Sequence, residues 1–270
     1  MTVPKVITSL TNDRVKAIRA LEMRKERKET GLFVAEGAAL LVSARDHGFR
    51  PQTLVYKTGA AESGIARGLV TWALKESAEV LEVSEAVLAK LASKDNPQTV
   101  LGVFRQRFAG APDPRRLESQ ATWLALEEVR DPGNLGTIIR TVDAVGASGV
   151  ILVGTCCDPF SLEAIRATMG SIFAVPIAKM ERDGFLDLVK AWPGDVVATQ
   201  LDASEDFRQA SYKGPELVMM GSEGPGLSPN LSQAATRRVK IPMSGALDSL
   251  NLAIATALTL YQVRGPRLKL

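Results

Sequence analysis

A chain of 270 residues, 46% hydrophobic and 23% charged, has the size of about two globular domains and enough apolar content to exclude a disordered tail. Its two cysteines are adjacent, Cys156 and Cys157, which excludes an ordinary structural disulfide and fits no zinc spacing; a single histidine, His47, excludes a multi-histidine metal site and disfavours a serine–histidine triad. The net charge of +3 permits a nucleic-acid partner without requiring one. No apolar run reaches the roughly 18–20 residues of a membrane span, and the first residues lack the apolar core of a signal peptide, so the expectation is a cytoplasmic protein without metal.

In chain order, residues 8–29 read as one basic helix with Val15, Ile18 and Leu21 as its apolar side. Arg14, Lys16, Arg19, Arg24, Lys25, Arg27 and Lys28 crowd it, either as a solvated face laced with i,i+4 pairs or as a face for phosphates. Strands are expected at 32–35, 53–56, 79–83 and 100–104, and helices at 38–47 and from Ser84 onward, while 68–76 is ambiguous; His47 falls at a helix end. Residues 108–120 (FAGAPDPRRLESQ) are proline-rich and polar and read as a linker. Beyond them strands are expected at 123–126, 150–153, 173–177, 196–200, 216–220 and 239–243, with helices at 135–144, 184–191 and from Ser249. Strands separated by helices argue for a parallel sheet covered on both faces, an α/β fold, with Trp123 and Trp192 in its core.

Two strand ends carry small-residue loops. Residues 216–220 empty into Gly221-Ser222-Glu223-Gly224-Pro225-Gly226, and 239–243 into Ser244-Gly245-Ala246. In an open α/β sheet, ligands bind at such ends. The glycines do not follow the first strand of a βαβ unit and no Lys-Ser/Thr pair follows them, so a dinucleotide fingerprint and a Walker loop both fit poorly. Upstream, Asp131-Pro132-Gly133-Asn134 leaves a strand and starts a helix, where free backbone N–H groups favour an anion. Arg140 on that helix is either a surface residue or a guanidinium aimed into a pocket. Ser249 reads as a helix N-cap, a site residue, or both. Glu223, flanked by small residues, is expected to be poorly solvated and to orient Asn134 or Arg140.

The runs RDPGNLGTIIRTVDAVG, GSEGPGLS and IPMSGALDSLNLAIA, in that order, resemble the three motifs of the SpoU/TrmH branch of the SPOUT superfamily, S-adenosylmethionine-dependent RNA ribose 2′-O-methyltransferases. The stretches ETGLFVAEGAALLVSA and VLEVSEAVLAKLASKDNPQTVLGVF are similar to the substrate-binding domain that precedes many such catalytic domains. The resemblance implies an RNA-holding α/β domain at 1–107, a linker at 108–120 and a parallel-sheet SPOUT domain at 121–270 closed by a trefoil knot. It implies active-site roles for Asn134, Arg140, Glu223, Ser249 and Asn251, and S-adenosylmethionine bound around Gly221, Gly226, Ile241, Met243 and Leu250. RNA contacts are expected from Arg14, Arg24, Lys25, Arg27 and Arg166, and a homodimer through the catalytic domain. Ala253 departs from the hydroxyl residue that many relatives carry at its position. Ribosomal RNA is the expected substrate; transfer RNA, a non-catalytic RNA-binding or ribosome-assembly role, and a nucleotide-dependent oxidoreductase are the rivals.

Overall fold

In the computed structural model, which describes residues 4–62, 64–92, 98–247 and 249–269, the basic amino-terminal stretch is two helices rather than one. After β1 (Lys5–Ile7), Asn12 caps α1 (Asp13–Ala20), its Oδ1 accepting from Arg14 N at 2.8 Å. The helix ends at Leu21, and α2 (Arg24–Thr30) starts three residues on. On one continuous helix Leu21 and Arg27 would point roughly 120° apart. The break turns both inward, Leu21 into the apolar core and Arg27 into a polar socket. There Arg27 Nε donates to Asp158 Oδ2 at 2.8 Å, and Nη1 donates to the carbonyls of Leu21 and Glu22 at 2.8 and 2.7 Å. The RNA contact expected of Arg27 is therefore corrected: its donors serve the interior.

The chain continues through β2 (Leu32–Glu36), α3 (Ala38–Asp46), β3 (Pro51–Lys57), α4 (Gly64–Lys75), β4 (Glu79–Val83), α5 (Glu85–Leu91) and β5 (Val100–Arg105). Of the ambiguous residues 68–76, all up to Lys75 are helical because Leu69, Val70 and Ala73 share one buried face of α4. The five strands form a sheet in the order β1-β4-β3-β5-β2, parallel through β3 and antiparallel at β5. His47 sits at the C-cap of α3, its Nδ1 2.8 Å from Ser43 O.

The chain divides into two compact units, Met1–Gln106 with Asp158–Ala174, and Arg107–Cys157 with Val175–Leu270. The division differs from the expected one in the segment 158–174, which packs into the first unit through its aromatic rings. Phe33 lies 4.8 Å from Phe160 and 6.0 Å from Phe173 between centroids, and Phe173 meets Phe49 and Phe104 edge-on. Arg166 Nη2 donates to the buried Glu36 at 2.7 Å. This also corrects the expected strand at 173–177: Phe173 closes a 3-10 turn (Ser171–Phe173), and a strand begins only after Pro176, which has no N–H to give a ladder.

In the second unit the elements are β6 (Thr122–Glu127), α6 (Pro132–Ala144), β7 (Gly149–Val153), β8 (Ile177–Met180), α8 (Arg182–Lys190), β9 (Val196–Thr199), β10 (Glu205–Asp206), β11 (Glu216–Met220), α9 (Pro229–Ala234), β12 (Arg237–Lys240) and α10 (Leu252–Arg264); the helix Leu162–Ala167 of the first unit is α7. The sheet has seven strands in the order β10-β12-β9-β11-β6-β7-β8, and every neighbouring pair is parallel. Its central strands are buried end to end, as the near-continuous apolar runs TWLALE, GVILV and ELVMM require of a sheet covered on both faces. Trp123 and Trp192 belong to that core. No helix among the described residues is long and apolar enough to cross a membrane.

Candidate active site at the ends of β9, β11 and β12

Parallel strands release their chains on one side of the sheet, and the two small-residue loops leave β11 and β12, which flank β9. Thr199, the last residue of β9, pairs with Met220 on β11 and with Val239 on β12. The glycine-rich loop after β11 then folds back on itself: Ser222 and Gly226 form an antiparallel bridge, with Gly226 N donating to Ser222 O at 3.0 Å. A Cβ on Gly221 would stand 1.9 Å from Gly226 C and 2.1 Å from Leu227 N, so no side chain fits there. The glycine expected to admit a ligand thus first admits its own loop. Gly221→Ala is expected to cost about 1–3 kcal/mol of stability through forced overpacking. A melting curve superimposable on that of the parent protein would refute this account of the loop.

The loop is anchored at its far end by a buried carboxylate. Glu127, the last residue of β6, accepts Ser228 N on Oε2 at 2.7 Å and Arg182 Nε on Oε1 at 2.8 Å. The hydrogen bond that Arg182 donates to Glu127, and the negative charge of that carboxylate, push the Arg182 pKa up. Three segments distant in sequence are held together by this one side chain.

Above the strand ends three side chains form a directional relay. Asp131 caps α6, its Oδ1 accepting from Asn134 N at 2.6 Å, which sets Asn134 in the first helical turn. Asn134 Nδ2 donates to Glu223 Oε1 at 2.5 Å, and Asn134 Oδ1 accepts from Asn251 Nδ2 at 3.0 Å. Asn251 Oδ1 in turn accepts from Ala253 N at 2.9 Å and Ile254 N at 3.3 Å at the start of α10. The amides are aligned from a helix N-terminus to a carboxylate, so each fixes the orientation of the next. A cavity of about 150 Å³ opens beside the relay, lined by Arg130, Asp131, Asn134, Glu223 and Leu252 among others.

Of the residues singled out from the sequence, Asn134, Glu223 and Asn251 are thus brought into contact. Glu223 is exposed rather than poorly solvated, a correction that follows from its place at the tip of the folded-back loop. Ser249 is exposed and does not cap α10; Asn251 does, because the helix begins at Leu252 and only the Asn251 side chain reaches the free N–H groups. Arg140 is exposed on α6, with no hydrogen-bond or ion-pair partner for its side chain among the described residues. Ile241 and Met243 are half-buried in the segment after β12, and Leu250 is exposed just ahead of α10. In the first unit, Arg14 faces Glu79 at 3.3 Å, Lys25 faces Glu29 at 3.9 Å, and Arg24 is exposed. Arg166, paired with Glu36, keeps only a quarter of its side chain exposed.

Two residues escaped the sequence reading. Arg130 lines the cavity, and the signal for it was adjacency to the turn-forming run that follows. Thr199 ends the strand between the two loop-bearing ones, and its Oγ1 is buried with no hydrogen-bond partner among the described residues. Nothing in VVATQ distinguishes that hydroxyl from a core threonine, so only the strand order could have found it.

Comparison with known proteins places both parts of the chain among RNA methyltransferases and their substrate-binding domains. The model of the SpoU rRNA methylase family matches residues 121–261, and that of the MRM3-like substrate-binding domain matches residues 12–102. The chain is 33% identical over 96% of its length to an uncharacterized tRNA/rRNA methyltransferase of Synechocystis, covering 93% of it. It is 29% identical to the Bacillus subtilis 23S rRNA (guanosine(2553)-2′-O)-methyltransferase RlmP, covering 97% of this chain and 100% of that one. A crystal structure of an AdoMet-bound rRNA methyltransferase from Sinorhizobium meliloti superposes with a TM-score of 0.91 at 46% identity, covering 98% of this chain and 99% of the other. With one family model over residues 121–261 and a relative 33% identical over 96% of the chain, the protein belongs to the SpoU rRNA methylase family.

Proposed function

We propose that the protein transfers a methyl group from S-adenosylmethionine to a ribose 2′-hydroxyl of ribosomal RNA. The observation that carries this reading is the Asn251–Asn134–Glu223 relay set over the ends of adjacent parallel strands. The B. subtilis relative is named for 2′-O-methylation of ribosomal RNA, and the Sinorhizobium relative is AdoMet-bound. The residues present fit such a donor: three neighbouring strand ends offer backbone groups, and Thr199 Oγ1 is a buried hydroxyl awaiting a partner. Gly221, Gly226, Ile241, Met243 and Leu250 would hold it mainly through backbone. When bound, the donor supplies an electrophilic methyl on a sulfonium, a reaction that asks chiefly for in-line positioning.

The chain's own part is then to hold and orient. Asn134 and Asn251 are fixed by the relay, and Ser249 stands exposed two residues before the α10 cap. Arg140 supplies a planar fork of donors suited to an RNA phosphate. It is no base, because a guanidinium keeps its proton in proteins. The 2′-OH proton therefore leaves to water or a phosphate oxygen.

The deciding experiment is transfer of labelled methyl from S-adenosylmethionine to unmodified ribosomal and transfer RNA, followed by mapping. Label on one ribose of ribosomal RNA is the expected result. Label confined to transfer RNA would change the substrate, and intact donor binding without transfer to ribosomal particles or RNA would leave a non-catalytic assembly factor.

The reading extends to a cytoplasmic homodimer, with the first unit holding RNA and α10 threaded through the knot. Support for the thread is the packing of α10 on both α6 and β11. Support for the dimer is an apolar stripe on α10: Ile254, Leu258 and Tyr261 recur at i, i+4 and i+7 and are all exposed. Ile254→Glu with Leu258→Glu is expected to halve the mass seen by sedimentation. A parent protein that already sediments as a monomer would sink the dimer.

A further inference from the structure

We propose that a pocket on the first unit, between α3 and α4, binds one nucleotide of a single-stranded RNA segment, with its base against Trp72 and its phosphates on Arg67, Lys75 and Arg45. The inference rests on the RNA reading above and names a surface different from the basic helices at the amino terminus.

The pocket follows from the spacing of α4. Gly64, Gly68 and Trp72 recur every four residues and form one row; Arg67, Thr71 and Lys75 form the row beside it. A Cβ on Gly64 or Gly68 would meet no atom within 4 Å, so the two glycines leave a hollow floor where other residues would fill it. The hollow measures about 480 Å³, within the ~300–1,000 Å³ usual for small-molecule sites. Arg45 on α3 closes one side.

The lining is chemically one-sided, with three cations, one large aromatic ring and no carboxylate. Arg45 Nε faces the neighbouring Asp46 at 2.9 Å, an exposed pair that phosphate can displace. Arg67 and Lys75 have no salt-bridge partner among the described residues. The Trp72 ring stacks on Phe104, centroids 6.4 Å apart and 27° between planes, which fixes its orientation at the pocket wall. A ring held rigid beside unpaired cations is the arrangement that single-stranded nucleic acid uses, stacking a base while cations follow the backbone. An acidic peptide would use the cations and leave the ring and the hollow without a role.

The test uses the full chain and an oligoadenylate of about twelve nucleotides, read by tryptophan fluorescence. Trp123 and Trp192 are buried in the other unit's core, so quenching reports Trp72. Gly68→Glu fills the hollow with an anion at an open helical position, where losing glycine does not weaken the helix. Together with Arg67→Glu and Lys75→Glu it is expected to lower affinity at least tenfold; Arg67→Ala and Lys75→Ala should each reduce the salt slope by about 0.7. Arg14→Glu with Lys25→Glu should leave the quench in place. Unchanged affinity in Gly68→Glu, or equal quenching by oligoglutamate, would overturn the assignment. Methyl transfer to ribosomal RNA on the same preparations separates the two readings. Transfer by the parent with an unchanged KM in Gly68→Glu overturns the pocket alone, whereas absent transfer by the parent overturns the enzyme reading while the quench is judged separately.

Discussion

Arg140→Ala is expected to bind S-adenosylmethionine normally, to melt within about 0.5 kcal/mol of the parent protein, and to lose about 10²–10³-fold in methyl transfer. The residue projects from α6 opposite the buried row of Leu135, Ile138, Ile139 and Val142, so its truncation opens no cavity. It lies six residues beyond Asn134, about 9 Å farther along the helix axis. No ion pair neutralises it among the described residues, which leaves the full charge for a substrate phosphate. Arg140→Lys keeps the charge and loses the fork, and should recover part of the loss, mainly in KM. Steady-state kinetics on one mapped RNA decides the matter. A variant with parental KM and no turnover would move Arg140 from phosphate binding to the reacting atoms, and a fully active Arg140→Ala would remove it from the site.

Arg267→Ala is expected to destabilise the second unit by about 3–5 kcal/mol, the usual result of leaving a buried carboxylate without its cation. Glu216 opens β11 with no exposed surface. Its Oε2 accepts Thr122 Oγ1 and Arg267 Nη1, both at 2.8 Å, and its Oε1 accepts Arg267 Nη2 in a close contact. That bidentate hydrogen bond pushes the Arg267 pKa up. Beside it, burial first and the charge of Arg267 second push the Arg264 pKa down, while Arg264 spends its donors on the carbonyls of Val145, Gly146 and Gln120. The two arginines thus tie the end of the chain to the near ends of β6 and β11. The five residues of β11 put this lock roughly 17 Å from the glycine loop. Arg267→Ala should therefore lower the melting temperature with little change in donor affinity below the transition. Adding Glu216→Gln should restore part of the stability, since a neutral amide needs no cation. A double variant as unstable as the single one would show that the loss comes from elsewhere in the lock.

The sequence alone carried the element types of both units far. Residues 216–220 and 79–83 are strands at the very bounds their apolar runs suggest, and the turn at 131–134 opens a helix as its proline and capping residues require. It also singled out Asn134, Glu223 and Asn251, through the resemblance of the three runs that carry them to the motifs of the SpoU/TrmH family. Local periodicity reports on neighbours within a turn or two, and there it served well.

What it could not carry were choices made by distant partners. Arg27 looks like a surface cation among its neighbours and is interior because Asp158 arrives 131 residues later. Ser249 and Asn251 are both good capping residues, and the direction in which the chain enters α10 selected Asn251. Asn134 meets Glu223 across 89 residues and Asn251 across 117, contacts that no helical or strand period encodes. Thr199 became a site candidate only when β9 was seen between β11 and β12. Sequence determined which residues could do chemistry, since local backbone preference and polarity are written residue by residue. Tertiary structure decided which of them meet, since a parallel sheet joins strands through long crossovers whose pairing order is fixed only when both faces are packed.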